Sequence, residues 1–218
     1  MKEVKVFVPW GSGDYASWIP NASIVQDIYE SDLVLFTGGE DVSPDLYGQK
    51  VGNRTYANKQ RDELEREAFD IALKFNLKML GVCRGSQFLC VGAGGELVQH
   101  MQHPHYHEIE TWTGEKDIRV VSTHHQMQFP YRMPSSSYRV IAWANKLSDT
   151  YLNGENAEIV YQGKMLKFIP HFAEPEIVYY PDCDALAIQS HPEMMNISSP
   201  FVMYCRELVE KLINDKLL

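Results

Sequence analysis

Two hydrophobic patterns alternate along this chain. Short apolar runs bounded by turn residues recur at Val4 to Val8, Leu33 to Phe36, Met79 to Val82, Ile118 to Val121, Val140 to Ala144, Glu158 to Tyr161 and Ala185 to Ile188. Several are continuously apolar, the pattern of strands buried on both faces. Between them lie helical periodicities. The clearest spans Asp62 to Phe75, where Leu64, Ala68, Ile71, Ala72 and Phe75 share a face and Glu63, Glu65, Arg66, Glu67 and Lys74 are expected in water. Near the C-terminus, Ser199 can cap and Pro200 suits a first turn, and Phe201, Tyr204, Cys205, Leu208, Leu212 and Ile213 form a stripe. Strands alternating with helices predict an α/β fold: an open, mostly parallel or mixed sheet flanked by helices.

From about Thr111 to Tyr180 the pattern changes. Short alternating segments are punctuated by Pro134, Gly154, Gly163, Pro170 and Pro175, with no convincing helix. This stretch reads as an antiparallel or mixed extension of the same sheet. No repeat or linker divides the sequence, so a single domain over residues 1–218 is expected.

Charge narrows the partners. Twenty Lys and Arg against 29 Asp and Glu give a net charge of −9, and no basic stretch offers a face to nucleic acid or anionic lipid. No segment approaches the ~18 apolar residues of a membrane span, and the first apolar run is too short for a signal-peptide core. A soluble, cytoplasmic protein is expected. Its four cysteines lack metal-site spacing and read as reduced thiols.

Chemistry concentrates in Gly81-Val82-Cys83-Arg84-Gly85-Ser86-Gln87, where a cysteine stands between a strand and a probable helix with glycines two residues to either side. A nucleophile on a tight strand-to-helix turn needs such small neighbours, and the helix N-terminus favours thiolate. A buried structural cysteine is the alternative. Ala185-Leu186-Ala187-Ile188-Gln189-Ser190-His191-Pro192-Glu193 ends a second strand with an imidazole and a carboxylate two apart, on one face of extended chain. Thiol, base and orienting acid are all present: Cys83, His191 and Glu193.

These residues, with Thr37-Gly38-Gly39-Glu40-Asp41-Val42-Ser43-Pro44 before them, resemble the class I glutamine amidotransferase superfamily. The Gly-Gly-x-Asp-Val-x-Pro wording, then Leu46-Tyr47-Gly48, Arg61-Asp62, Cys-Arg-Gly and His124-His125-Gln126, is similar to its γ-glutamyl hydrolase branch, which includes γ-glutamyl-γ-aminobutyrate hydrolases. The resemblance runs from about Thr37 to Glu193. It implies a flavodoxin-like fold and a cysteine attack on a γ-glutamyl amide through a thioester. It also implies an oxyanion hole from the Gly38-Gly39 turn, Gly39 in particular, and the amide of Arg84, and substrate contacts from Gln87 and from His124, His125 and Gln126. A small γ-glutamyl metabolite is the expected substrate, with no cofactor. The alternatives are a glutaminase subunit serving a separate ATP-dependent ligase, since no P-loop is present, and a non-catalytic binding module. Phe88-Leu89-Cys90-Val91 departs from the branch, which commonly has asparagine at the position of Cys90.

Several features carry two readings. Trp10, Tyr15 and Trp18, between Pro9 and Pro20, form either a substrate lid or a packing plug. Arg61-Asp62 is either a helix cap or a support for the oxyanion loop, the cap being simpler. His100, His103, His105 and His107 match no metal-binding spacing, so no metal is assigned to them.

Overall fold

The computed structural model describes residues 3–145, 147–168 and 173–217. Nine strands hydrogen-bond into one sheet: β1 (Val4–Phe7), β2 (Ala22–Val25), β3 (Leu33–Phe36), β4 (Lys78–Val82), β5 (Tyr106–Thr111), β6 (Ile118–Val121), β7 (Arg139–Asn145), β8 (Ala173–Tyr180) and β9 (Ala185–Ile188). Their spatial order is β2-β1-β3-β4-β9-β8-β7-β5-β6. The first five in that order are parallel, and every pairing from β9 to β6 is antiparallel.

The parallel half is covered on both faces, which explains its continuous apolar runs. Leu33 and Leu35 of β3 point to one side, where they share a core with Phe201, Cys205 and Leu208 of helix α3 (Pro200–Ile213). Val34 and Phe36 point to the other, against Ala68, Phe69 and Ala72 of α1 (Lys59–Phe75) and Phe88 and Leu89 of α2 (Arg84–Gly92). This is the period-2 alternation of a strand with two buried faces. Helix α3 begins as its sequence indicates, with the Ser199 hydroxyl accepting from Val202 N at 3.3 Å. A third apolar cluster, including Val98, Met127, Phe129 and Tyr151, lies beneath three two-stranded pairs outside the main sheet.

Helix α1 differs from its sequence pattern in two respects. It starts at Lys59, three residues before Asp62, because Asn58 caps it by accepting from Arg61 N. Its buried face is also rotated: Leu64 is 41% and Phe75 48% exposed, whereas Glu65, expected in water, is fully buried. The reason is electrostatic, as two arginines lie beside Glu65.

Three sheet strands escaped the apolar pattern. Asn21 and Gln26 bound β2 closely and leave it short, while His107, Glu108 and Glu110 interrupt β5, and Glu174, Pro175 and Glu176 interrupt β8. Conversely, the run Glu158 to Tyr161 is not a strand of the main sheet; Val160–Tyr161 pairs with Lys164–Met165 in a separate hairpin, and Glu158 makes a lone antiparallel bridge to Leu152. Pro170, read as punctuation, lies outside the described residues. No helix among the described residues is long and apolar enough to cross a membrane.

Candidate active site

Three neighbouring parallel strands deliver the chemistry to one edge. β3 runs into Thr37-Gly38-Gly39, β4 into Cys83 and β9 into His191, with Phe36 level with Gly81 and Ile188 level with Val82. Ligand sites in open α/β sheets form at this carboxyl edge.

Cys83 has φ 54° and ψ −111°, a region an L-residue enters only when its surroundings force it there. The surroundings do so: a Cβ on Gly85 would lie 2.0 Å from the Phe36 carbonyl oxygen, and one on Gly81 would lie 2.4 Å from that of Gly85. The strained turn thus depends on the two flanking glycines.

His191 is 2% exposed and is held at both ring nitrogens, its Nδ1 donating to Glu193 Oε1 at 2.6 Å while Nε2 lies 2.7 Å from Thr123 Oγ1. Burial alone would depress its pKa, but hydrogen bonds to Cys83 and Glu193 and their charges raise it to about 10. Thr123 reaches this point because the antiparallel half of the sheet folds back. The His191 amide donates to the carbonyl of Val121, at the end of the outermost strand, at 2.9 Å.

A cavity of about 410 Å³ lies over these strand ends. Gly39, Cys83, Arg84, Gln87, His124, His125, Gln126 and His191 all line it, and Glu193 stands behind His191. Thr123, Asp41, Tyr56 and Met194 also line it, without having been singled out in the sequence as site residues. Asp41 had a legible signal, since it belongs to the Gly-Gly-x-Asp segment; its Oδ1 lies 3.2 Å from His125 Nε2. The Pro9 to Pro20 segment divides its roles. Trp18 is 2% exposed and plugs the core, its carbonyl accepting from Arg206 Nε at 2.7 Å, while Tyr15 lines the cavity. Burial and the nearby charges of Glu193 and Cys83 raise the Tyr15 phenol to about 12, so it stays protonated.

Two of the lining residues turn part of themselves away. The Gln87 amide donates to the Gln126 carbonyl at 2.9 Å, joining helix α2 to the opposite wall. The Arg84 guanidinium faces inward, pairing with Asp62 and Glu65 and donating to the Glu40 carbonyl at 3.1 Å, which leaves its backbone at the cavity. Burial first, and the charge of Arg61 second, lower this guanidinium to about 9.

Arg61 and Asp62 brace the glycine turn and do not cap α1. Arg61 donates to the Thr37 carbonyl at 2.8 Å, the Gly38 carbonyl at 3.0 Å and Glu65 at 3.0 Å. Asp62 accepts from Ser43 N at 3.2 Å and from Arg84. At Gly39, φ is 141° and the Arg61 guanidinium occupies the space a Cβ would need. The cap was supplied upstream by Asn58, freeing both side chains for this work.

The histidine-rich stretch separates into two environments. His100 contacts Arg54 at 2.6 Å and His125 at 3.3 Å at the pocket rim. His103 and His107 instead lie buried with Glu176, their ligand atoms within 4.8 Å of one another. Cys90, Cys183 and Cys205 are buried free thiols, as expected of packing residues.

The peptidase C26 family model matches residues 18–131, more than half of the sequence, including the glycine turn, Cys83 and His124-His125-Gln126. This chain belongs to the peptidase C26 family. Among relatives, the glutamine amidotransferase-like protein YvdE of Lactococcus lactis is 40% identical over 91 residues, 37% of this chain and 39% of that protein. Protein NtpR of Enterococcus hirae is 37% identical over 89 residues, 35% of this chain and 37% of that protein. The match therefore spans well under half the length of these relatives. The fold is shared with the glutaminase domain of Trypanosoma brucei CTPS (TM-score 0.58, 12% identity, 99% of this chain and 95% of that one). It is shared also with a Thermotoga maritima glutamine amidotransferase (TM-score 0.54, 14% identity, 100% and 87% covered). A peptidase C26 protein on this scaffold is a member of the class I glutamine amidotransferase superfamily, with the mixed, helix-flanked sheet of that group.

Proposed function

We propose that this protein is a cysteine-dependent amidase that cleaves the γ-glutamyl amide bond of glutamine or a small γ-glutamyl compound. The observation that carries this reading is the convergence of Cys83, in its strained turn, and the bonded His191–Glu193 pair on one 410 Å³ cavity. Membership of a family whose relatives are named as glutamine amidotransferase-like supports it.

In this mechanism the Cys83 sulfur attacks the δ carbonyl carbon, forming the C–S bond as the carbonyl π electrons move to oxygen. The amides of Gly39 and Arg84 receive that oxyanion, held rigid by the Arg61 clamp. His191, kept protonated by its two acidic neighbours, passes its proton to the leaving amine as the C–N bond breaks. Glu193 fixes the Nδ1–H tautomer, so that Nε2 faces the reacting atoms. Water, deprotonated by His191, then attacks the thioester and releases glutamate and the free thiol. Gln87, His124, His125 and Gln126 form the wall that receives the glutamyl group.

The test is intact-protein mass spectrometry after treatment with a glutamine-analogue chloroketone, beside Cys83→Ala, together with glutamate release from a panel of γ-glutamyl amides. One label per chain on Cys83, absent in the variant, with glutamate release, is expected. Labelling and release unchanged in Cys83→Ala would overturn the nucleophile assignment. The CTPS neighbour is a glutaminase domain, which favours a second reading, in which the released ammonia passes to a separate ligase. Labelling without glutamate release until a ligase is added would select it.

A further inference from the structure

Behind the His124 wall of the pocket lies a second buried cluster that the amidase reaction does not use. His103 arrives on the loop before β5, His107 on β5, and Glu174 and Glu176 on one face of β8. Their side chains are only 1–2% exposed. His107 Nε2 lies 3.1 Å from Glu176 Oε1, His103 Nε2 lies 3.6 Å from the same oxygen, and His103 Nε2 lies 3.7 Å from Glu174 Oε2.

Proton placement leaves this cluster incomplete. His103 Nδ1 sits 3.1 Å from the Pro104 carbonyl, which can only accept, so Nδ1 carries a hydrogen and Nε2 is the nitrogen turned toward the carboxylates. That nitrogen faces two carboxylate oxygens at distances too long for a hydrogen bond. Among the described residues, His103 Nε2, Glu174 Oε2 and His107 Nδ1 have no hydrogen-bond partner, although each is buried. A cation at the centre of these atoms would give Nε2 of His103 and Oε2 of Glu174 a common partner and take over the Glu176 oxygen that His107 Nε2 contacts at 3.1 Å.

We propose that His103, His107 and Glu176, with Glu174 Oε2 as the fourth donor, form a binding site for a divalent zinc-type cation. Two ligands about 2.0–2.1 Å from a tetrahedral Zn²⁺ stand ~3.3 Å apart, and the observed 3.1, 3.6 and 3.7 Å bracket that spacing. The outer contacts are those of a metal centre. Glu176 Oε2 accepts from Ser190 Oγ at 2.7 Å, and Glu174 Oε1 accepts from Leu147 N, Ser148 N and Tyr151 OH, so each carboxylate is oriented with its other oxygen toward the imidazoles. His103 is oriented likewise through Pro104. An access route exists: His107, Pro104 and Leu147 line an open surface cavity of about 540 Å³. The His124 ring lies 4.2 Å from that of His103, so the ion would brace the pocket wall from behind.

The experiment uses the full chain carrying Cys83→Ala, so that no active-site thiolate competes. Calorimetric titration with ZnCl₂ is expected to give one ion per chain, with His103→Ala and Glu176→Gln each weakening binding by more than about 100-fold. Because a variant can fail to fold, Co²⁺ is also added to the chain with all four cluster residues intact. Tetrahedral d–d bands without a thiolate charge-transfer band are expected. Absence of saturable binding, or a thiolate band, or affinity unchanged in a folded His103→Ala protein, would each overturn the site.

Discussion

Two buried ionic clusters flank the pocket, one under the glycine turn and one behind the histidine wall, and they are composed on opposite terms. The first sets two guanidiniums, Arg61 and Arg84, against two buried carboxylates, Asp62 and Glu65, with further donors spent on the carbonyls of Thr37, Gly38 and Glu40. The second sets two carboxylates against two imidazoles, of which only His107 reaches hydrogen-bond distance, leaving His103 Nε2 and Glu174 Oε2 without a hydrogen-bond partner among the described residues. Buried charge is tolerated when it is matched. The first cluster is matched by its own residues and acts as a rigid brace; the second awaits a cation from outside.

The sharpest way to break this contrast is Glu65→Ala. It leaves two buried guanidiniums facing each other, and a loss of about 3–5 kcal/mol is expected. In a chain of this size that lowers Tm by roughly 10 °C, read by circular dichroism. A shift below about 2 °C would show that the brace is not the stronger of the two clusters.

Glu193→Gln comes next, because it disturbs charge beside the brace and not within it. Positioned general acid–base catalysis supplies about 10²–10⁴-fold, so loss of the orienting carboxylate is expected to slow glutamate release at least about 10-fold. The sign of the pH effect follows from a raised pKa. The stability His191 contributes is fully present below its ordinary value near 6.5 and is lost as pH rises through about 10. In the proposed mechanism amide cleavage needs the imidazolium proton, so glutamate release is expected to fall over the same alkaline range, with Glu193→Gln moving that limb to lower pH. An unmoved limb in the pH–rate profile would show that Glu193 does not hold His191.

The smallest effect is expected at Glu174. Glu174→Gln keeps Oε1 as the acceptor for Leu147, Ser148 and Tyr151 and replaces only the oxygen that faces His103 Nε2. Without added metal, stability should change by less than about 1 kcal/mol, whereas the rise in Tm on adding ZnCl₂ should shrink. A loss as large as that of Glu65→Ala, in metal-free buffer, would erase the distinction between the two clusters.

Much of the candidate site was legible along the chain because its parts lie at strand ends. A strand, a tight turn and a helix start are local events, so Gly81-Val82-Cys83-Arg84-Gly85 and His191-Pro192-Glu193 announce themselves within a few residues. The parallel strands were readable for the same reason, as burial on both faces leaves continuous apolar runs. Strands β5 and β8 were not, since His107, Glu174 and Glu176 break the apolar pattern at the positions where they meet.

The sequence by itself determined the α/β class, the strand-to-helix turn that carries Cys83 and the order in which the candidate site residues appear. Tertiary structure decided which charges are buried together. Periodicity assigns Glu65 to solvent because it weighs only neighbours on one helix, while Arg84 comes from another element and removes Glu65 from water. It likewise decided that His103 and His107 face Glu174 and Glu176, about 70 residues downstream. Electrostatic pairing depends on distance through space, and spacing along the chain carries that distance only within a single strand or helix.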